Sequence, residues 1–199
     1  MPEAVFPMLR ALLVAPPGAG KGTQGERLAD IYGVPHLSTG ELLRAEVAKR
    51  SIIGLAVEGF MHRGDLVPDE FLVPLLIGYV SGPEPLTGFV LDGFPRTAEQ
   101  AEQAHQWGLA SGITFNAVIS LDVPAEELVE RLVRRGSEVS RSDDTIETIR
   151  LRQQVYAKST EPLLEYYRGR GILIEVDGTG TVDEVTRRIR DRLDQLDLS

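Results

Sequence analysis

The sequence predicts an α/β fold in which a five-stranded parallel sheet carries helices on both faces. Short apolar runs, typical of buried strands, alternate along the chain with longer segments whose apolar residues recur at helical spacing. No internal repeat or low-complexity linker divides the 199 residues, so we expect one domain. A chain of this length can form a stable core without disulfide bonds or structural metals. It has no cysteine, so it can form no disulfide.

Strands are predicted where apolar residues run without interruption between turn residues. The segments are 9–15, 34–37, 89–91, 117–123 and 172–176. The first of them ends at Pro16-Pro17-Gly18, which cannot continue a strand. Ligands of such sheets bind beyond the carboxyl ends of the strands, so the segments that follow strands should carry the function.

Helices are predicted from apolar spacing and from start and stop residues. The segments are 21–32, 38–49, 52–63, 69–80, 97–109, 124–134, 145–168 and 181–196. Capping boxes mark three starts, at Ser38 with Glu41, Thr97 with Gln100, and Thr181 with Glu184. Gly33 stops the first helix, Pro124 opens a helix at its favoured first position, and Pro162 should bend the long one. The segment 136–144 is polar and aperiodic.

The segment after the first strand reads Ala15-Pro16-Pro17-Gly18-Ala19-Gly20-Lys21-Gly22-Thr23-Gln24. Its glycines let consecutive N–H groups turn toward an anion, and the following helix directs its positive end to the same place. Lys21 would reach the β and γ phosphates of a nucleotide, so the motif indicates a P-loop NTPase-type fold. The usual pattern has Gly at 15 and a hydroxyl at 22, whereas here the hydroxyl moves to Thr23. We expect Ala15 to end the strand with a negative φ.

With this shifted motif, the chain resembles the nucleoside monophosphate kinases, and the adenylate kinases above all. Further segments agree in order and spacing: His36-Leu-Ser-Thr-Gly-Glu-Leu-Leu-Arg44, Gly64-Asp-Leu-Val-Pro-Asp-Glu70, Asp92-Gly-Phe-Pro-Arg-Thr97, Arg131-x3-Arg135-Gly with Arg141, Asp143, Asp144 and Arg152, and Tyr156-x3-Thr160-Glu-Pro-Leu. The resemblance covers nearly the whole chain. It implies a core (1–37, 67–134 and 146–199), a helical monophosphate-binding insertion (38–66) and a short lid (135–145).

The resemblance implies reversible phosphoryl transfer from MgATP to AMP, giving two ADP, and it assigns the site residues. The ATP site would comprise Gly18, Ala19, Gly20, Lys21, Gly22, Thr23, Arg131, Arg135 and Gly180. The AMP site would comprise Thr39, Gly40, Arg44, Met61, Val67, Gly93, Arg96, Gln100, Arg141 and Arg152. The catalytic set would be Lys21, Arg96, Arg131, Arg135, Arg141 and Arg152. Asp92 would hold Mg²⁺ through water.

Several of these residues also have a purely structural interpretation. Arg44 and Arg96 would bind the AMP phosphate, but Arg44 can equally be a solvated helix residue. Thr39 and Gln100 would meet the adenine edge, but Gln100 is also the capping partner of Thr97. Asp92 can be a turn residue before glycine.

The lid and the histidines carry two further expectations. Arg141 should close over ATP and expel water, and Ser140, where glycine is common in the family, should alter lid mobility. The three histidines, His36, His62 and His105, are scattered and form no metal site, and His36 should pack.

Two other functions stay open at this point. A UMP/CMP kinase has the same fold, but those relatives tend to carry Ala and Asn where this chain has Thr39 and Thr97. A non-catalytic nucleotide-binding module would not need Lys21, Asp92 and the full set of arginines.

The formal net charge of −9 argues against nucleic acid and acidic membranes as partners. The 21 basic residues are nonetheless 18 Arg and 3 Lys, which reflects either codon usage or phosphate binding. No apolar run approaches the ~20 residues of a spanning helix. We expect a cytoplasmic monomer that binds ATP, AMP and ADP, with its cations gathered in one cleft and its acids on outer helix faces.

Overall fold

The fold is a five-stranded parallel sheet in the order β2-β3-β1-β4-β5, with helices packed on both faces. The computed structural model describes residues 8–81, 86–138 and 146–196, with 135–138 and 146 described by their backbone alone. The strands are β1 (Arg10–Val14), β2 (His36–Ser38), β3 (Phe89–Asp92), β4 (Ala117–Asp122) and β5 (Leu173–Asp177). The five predicted strands and their parallel arrangement are therefore confirmed.

The helices follow the predicted alternation. They are α1 (Lys21–Tyr32), α2 (Thr39–Ala48), α3 (Ile52–Arg63), α4 (Asp69–Val80), α5 (Ala98–Ser111), α6 (Ala125–Glu138), α7 (Ile146–Val155), α8 (Leu163–Gly169) and α9 (Val182–Leu193). A π-helix, Tyr156–Thr160, lies between α7 and α8. Within the described ranges, no helix has both the length and the apolar character needed to cross a bilayer.

Two apolar clusters cover the two faces of the sheet, because successive residues of a strand point in opposite directions. Leu13 of β1 packs in one cluster with Leu28 of α1 and Ile189 of α9. Its neighbour Leu12 belongs to the other cluster, together with Leu76 of α4. The buried sheet leaves the carboxyl ends of its strands as the place where polar side chains can converge.

Three predicted features differ in the structure. The capping box at Ser38 does not form, because the Ser38 side chain is directed to Asp92, to which its hydroxyl donates, and makes no bond to the α2 backbone. Helix α6 continues to Glu138, so the predicted aperiodic segment 136–144 begins with helical backbone. The predicted helix 145–168 is divided into α7, the π-helix and α8, with Pro162 as the residue that precedes α8.

Other local predictions are confirmed. Arg50 is the only non-glycine residue with a positive φ in the described part of the chain, so Ala15 does have a negative φ. The capping box of Thr181 and Glu184 is present at the start of α9. Gly33 ends α1 in the left-handed conformation, where glycine has no steric penalty.

Candidate active site

A cleft of about 980 Å³ opens at the carboxyl ends of the strands. Every predicted site residue whose side chain the structure describes lines it. These residues are Gly18, Ala19, Gly20, Lys21, Gly22, Thr23, Thr39, Gly40, Arg44, Met61, Val67, Asp92, Gly93, Arg96, Gln100, Arg131, Arg152 and Gly180. Arg135 is described only by its backbone in α6, and Ser140, Arg141, Asp143 and Asp144 lie outside the described residues.

The phosphate loop between β1 and α1 depends on two glycines with positive φ. Gly18 (φ 90°) passes so close to α6 that a Cβ would lie 2.9 Å from the Leu128 carbonyl oxygen, and Gly20 (φ 95°) begins α1. The Lys21 ammonium folds back over this loop and donates to the Ala15 and Pro16 carbonyl oxygens at 2.6 and 3.1 Å. The loop therefore holds its cation beside the helix N-terminus, where anions bind favourably.

Asp92 occupies the cleft at the end of β3, opposite the phosphate loop. Its Oδ1 accepts from the Ser38 hydroxyl at 3.0 Å, and its Oδ2 lies 2.9 Å from His36 Nε2. Burial by itself would raise the pKa of Asp92, but the His36 hydrogen bond, the Lys21 charge and the Ser38 hydrogen bond hold it below its ordinary value. The carboxylate is therefore ionised at neutral pH.

His36 packs as expected, and it also contacts Asp92. The parallel pairing of β2 with β3 sets Ser38 opposite Asp92, so the polar side chains of the short edge strand reach this carboxylate. His36 also covers Gly25 of α1, where a Cβ would collide with the imidazole ring. The pairing of two strands that are distant in sequence creates this contact, so no local sequence pattern predicts it.

Three arginines, Arg44, Arg96 and Arg152, line the cleft within electrostatic range of one another. Burial lowers the pKa of Arg96, and the positive charges of Arg152 and Arg44 lower it further. The negative charge of Asp92 acts in the opposite direction and raises it. The Arg96 guanidinium donates through Nε to the Gly93 carbonyl oxygen at 2.6 Å. These electrostatic effects reflect cations that lie close together, an arrangement suited to a polyanionic ligand.

The Arg44 guanidinium is only partly paired. It donates through Nη2 to Glu41 at 2.6 Å, and its Nε is buried without a hydrogen-bond partner. Thr39, one of the most buried polar residues at 0% exposure, has a hydroxyl in the same state. Buried polar atoms without partners cost about 1–3 kcal/mol each, so both atoms are suited to a bound ligand.

Gln100 takes part in the N-terminal cap of α5, and its side-chain amide still has hydrogen-bonding capacity for a ligand. Its backbone N–H donates to the Thr97 hydroxyl, as the predicted capping box requires. The reciprocal bond differs, because Gln100 Oε1 accepts from the Arg96 backbone N–H at 2.7 Å, and its amide NH₂ donates to Asp69. A glutamine amide can donate twice and accept twice, so one N–H and one lone pair stay available to a ligand.

Arg131 connects the two walls of the cleft at the phosphate loop. It projects from α6, pairs with Glu127 one turn earlier, and donates to the Gly178 carbonyl oxygen at 2.9 Å and the Ala19 carbonyl oxygen at 3.5 Å. Gly178 and Gly180 belong to the loop between β5 and α9, which borders the cleft. The guanidinium is thereby held across the mouth of the phosphate loop.

A protein-only metal cage is absent from the described ranges, which hold no group of three or more acidic, histidine or cysteine side chains suited to a metal ion. The cleft instead presents the ionised Asp92 carboxylate and the Thr23 hydroxyl. Mg²⁺ characteristically keeps several waters and binds one or two carboxylates together with substrate phosphates. The donor set therefore fits Mg²⁺ that arrives with a nucleotide.

Sequence reasoning missed several supporting residues: His36, Ser38 in its contact with Asp92, Asp69, Glu127, and Gln24 as a side chain that contacts α9. Only Glu127 had a visible pattern, since it precedes Arg131 by four residues on one helix. The others meet their partners across elements that are far apart in sequence.

Comparison with known proteins agrees with this geometry. The family model described as adenylate kinase matches residues 13–172. An adenylate kinase of Leifsonia xyli subsp. xyli is 46% identical over 178 residues, which cover 89% of each chain. One from Xanthomonas campestris pv. campestris is 46% identical over 181 residues, covering 91% of this chain and 97% of the relative. One from Clavibacter michiganensis subsp. michiganensis is 45% identical over 183 residues, or 92% of each chain. The chain belongs to the adenylate kinase family.

Proposed function

We propose that the protein transfers a phosphoryl group reversibly from MgATP to AMP, giving two ADP. The observation that carries the proposal is the pair of unpartnered buried atoms, Thr39 Oγ1 and Arg44 Nε, across the cleft from a phosphate loop with its lysine. One cleft thus offers two anion-binding halves, as transfer between two nucleotides requires. In such reactions positioning and charge neutralisation supply most of the catalysis.

In the donor half, the first turn of α1 and Lys21 bind the β and γ phosphates of ATP. The lysine exchanges its contacts with the Ala15 and Pro16 carbonyl oxygens for the more strongly charged phosphate oxygens. Arg131 lies beside this loop through Ala19 and supplies positive charge where the transferring group leaves. Gly180 borders the space for the nucleoside.

In the acceptor half, Arg44 and Arg96 bind the AMP phosphate and Arg152 adjoins the transferring group. Thr39 and Gln100 pair with the adenine edge, using the free hydroxyl and the unused capacity of the amide. Gly40, Met61, Val67 and Gly93 form the apolar and backbone walls of this pocket. A base that leaves Thr39 unpaired binds less well, which favours adenine.

Mg²⁺ would be held by Asp92 through water and by the Thr23 hydroxyl, and it would neutralise charge on the ATP phosphates. Asp92 is suited to this task because His36 and Ser38 hold it ionised and fixed in direction. Phosphoryl transfer of this kind needs little proton transfer. Asp92 therefore contributes its negative charge and does not act as a general acid.

We further propose the division into a core, an insertion over 38–66 and a lid over 135–145 with Arg135 and Arg141. The helix pair α2–α3 spans the insertion range and carries Thr39, Arg44 and Met61. Closure of the lid would expel water and prevent hydrolysis of ATP. A cytoplasmic location and a monomeric state stay predictions.

The test is a coupled assay of ADP formation from MgATP with AMP, CMP, UMP or GMP. We expect AMP to have the highest kcat/KM, by at least about tenfold, because a mismatched base leaves buried groups unpaired. Faster turnover of CMP or UMP would contradict adenine selectivity. An absence of ADP with every monophosphate would contradict catalysis itself.

A further inference from the structure

Gln24 ends the phosphate-loop motif, and the proposed chemistry does not use its side chain. The residue lies in the first turn of α1 directly after Thr23, yet it is only 3% exposed. Its backbone N–H donates to the Gly20 carbonyl oxygen at 3.0 Å, which is an ordinary helical bond. The side chain borders the cleft, but it forms its hydrogen bonds with α9.

Both ends of the Gln24 amide bind the beginning of α9. Nε2 donates to the Val182 carbonyl oxygen at 3.1 Å, and Oε1 accepts from the Thr186 hydroxyl at 2.8 Å. Thr186 is 6% exposed, so the bond to its hydroxyl is shielded from water, whereas the bond to Val182 is partly buried. Val182 and Thr186 lie one turn apart on α9, and a single amide therefore holds the first turn of that helix against α1.

The start of α9 belongs to the donor side of the cleft. Gly178, Gly180 and Val182 all line it, on the stretch that joins β5 to α9. Arg131 holds this stretch at Gly178, and Gln24 holds it at Val182. The two contacts bracket the loop and tie it to α6 at Gly178 and, at Val182, to α1, whose first turn carries phosphate-binding N–H groups.

We propose that Gln24 is a positioning residue that sets the distance between the phosphate subsite and the nucleoside subsite of the donor site. This inference rests on the proposed function, in which Gly180 borders the ATP nucleoside. Because the loop between β5 and α9 is already held in place, ATP can occupy the phosphate and nucleoside subsites together without the entropic cost of ordering that loop. Gln24 does not touch the reacting atoms.

The chemistry at this position favours glutamine specifically. The amide offers one donor for Val182 and one acceptor for Thr186, both satisfied. Methionine has nearly the same length and shape but replaces neither bond. Gln24→Met therefore removes the two bonds while it keeps the packing between α1 and α9.

The first experiment measures KM for ATP and for AMP in Gln24→Met, Thr186→Val and Thr186→Ser. We expect Gln24→Met to raise KM for ATP about tenfold, because the start of α9 loses both hydrogen bonds that the amide makes to it. Thr186→Val should raise it about threefold, and Thr186→Ser, which keeps the hydroxyl, should match the parent. KM for AMP should stay within about twofold in all three variants.

Unchanged KM for ATP in Gln24→Met, or parallel rises for ATP and AMP, would overturn the positioning role. A Thr186→Ser variant as impaired as Thr186→Val would do so as well, because the loss would then follow packing and not the hydroxyl.

A second experiment separates this inference from the proposed function, since it needs no nucleotide. Amide hydrogen exchange of the parent protein and Gln24→Met compares the first turn of α9, where the Val185 N–H donates to the Thr181 carbonyl oxygen at 3.1 Å. Exchange there should be about tenfold faster in the variant, with β1 amides unchanged. Equal exchange would overturn the inference even in an active enzyme, whereas a parent protein that makes no ADP would overturn only the proposed function.

Discussion

The contact between α2 and α3 offers a sharp test of how the acceptor half is held together. Gly54 lies where the two helices cross, and an added Cβ would fall inside contact distance of the Glu46 carbonyl and 2.7 Å from the Val47 nitrogen. Both atoms are backbone, so neither can rotate away. Non-bonded heavy atoms approach favourably at about 3.5 Å, so Gly54→Ala must separate the helices by about 1 Å.

The expected loss of stability has two parts. Overpacking of this kind costs about 1–3 kcal/mol. The same shift disturbs the Glu46 carbonyl, which accepts from the Ser51 backbone N–H at 3.2 Å, and a lost bond adds about 1 kcal/mol. We therefore expect Gly54→Ala to lower the free energy of unfolding by about 2–4 kcal/mol. Since α2 carries Thr39 and Arg44, KM for AMP should rise more than KM for ATP.

The assay combines urea unfolding with steady-state kinetics, and Gly78→Ala is the matched control. Gly78 lies within α4 and has open space where its Cβ would be, so alanine should stabilise the protein by about 0.5–1 kcal/mol through helix propensity. If Gly54→Ala were as stable as Gly78→Ala, the helices would not be in backbone contact. A loss of stability with equal changes in both KM values would refute the link to the AMP site.

Four substitutions in other parts of the chain test single statements. Lys21→Met should slow phosphoryl transfer at least about 10³-fold because the transition-state charge loses its cation, and an unchanged kcat would exclude a catalytic role. Ala15→Gly should leave KM for ATP within about twofold, since Ala15 has a negative φ, and a large gain in affinity would reveal strain there. Arg50→Gly should raise stability by about 0.5–1 kcal/mol, because Arg50 is exposed with φ 52°, and a lower Tm would contradict this. The depressed pKa of Asp92 means that its ionised form stabilises the fold above its unfolded pKa of about 4 and that this contribution is lost as the pH falls further. The stability gap between the parent and Asp92→Asn should therefore shrink between about pH 5 and pH 2, and a constant gap would refute the assignment.

Local sequence patterns were sufficient for most of the fold. The helix over 21–32 has its predicted bounds, as do those over 52–63 and 69–80, because start residues, stop residues and apolar spacing agree there. The prediction failed where a tertiary contact competed with a local one. Ser38 was expected to accept from a backbone N–H at the start of a helix, but its side chain is directed to Asp92 on the neighbouring strand and donates to that carboxylate.

The cleft shows the same division between local and long-range information. The motifs identified the residues that line it because their spacing is local and tied to strand ends. The partners of those residues were not predictable, since they depend on which strands pair and which helices touch. Gln24 was visible as part of a motif, but its contact with Val182 joins residues 158 positions apart.

The sequence by itself determined the α/β alternation, the phosphate loop, the set of arginines and the family that they indicate. Only the tertiary structure decided how the charges are arranged. A net charge of −9 is a sum over the whole chain, whereas the field in the cleft depends on distances, and Coulomb energy falls with distance and with screening. Parallel pairing of β2, β3 and β1 brings Ser38, Asp92 and the phosphate loop to one edge. The described lining of the cleft there holds six Lys and Arg residues and six Asp and Glu residues, so the excess of acid in the whole chain is not present locally. That juxtaposition belongs to the folded chain, because residues so far apart in sequence meet only when the sheet forms.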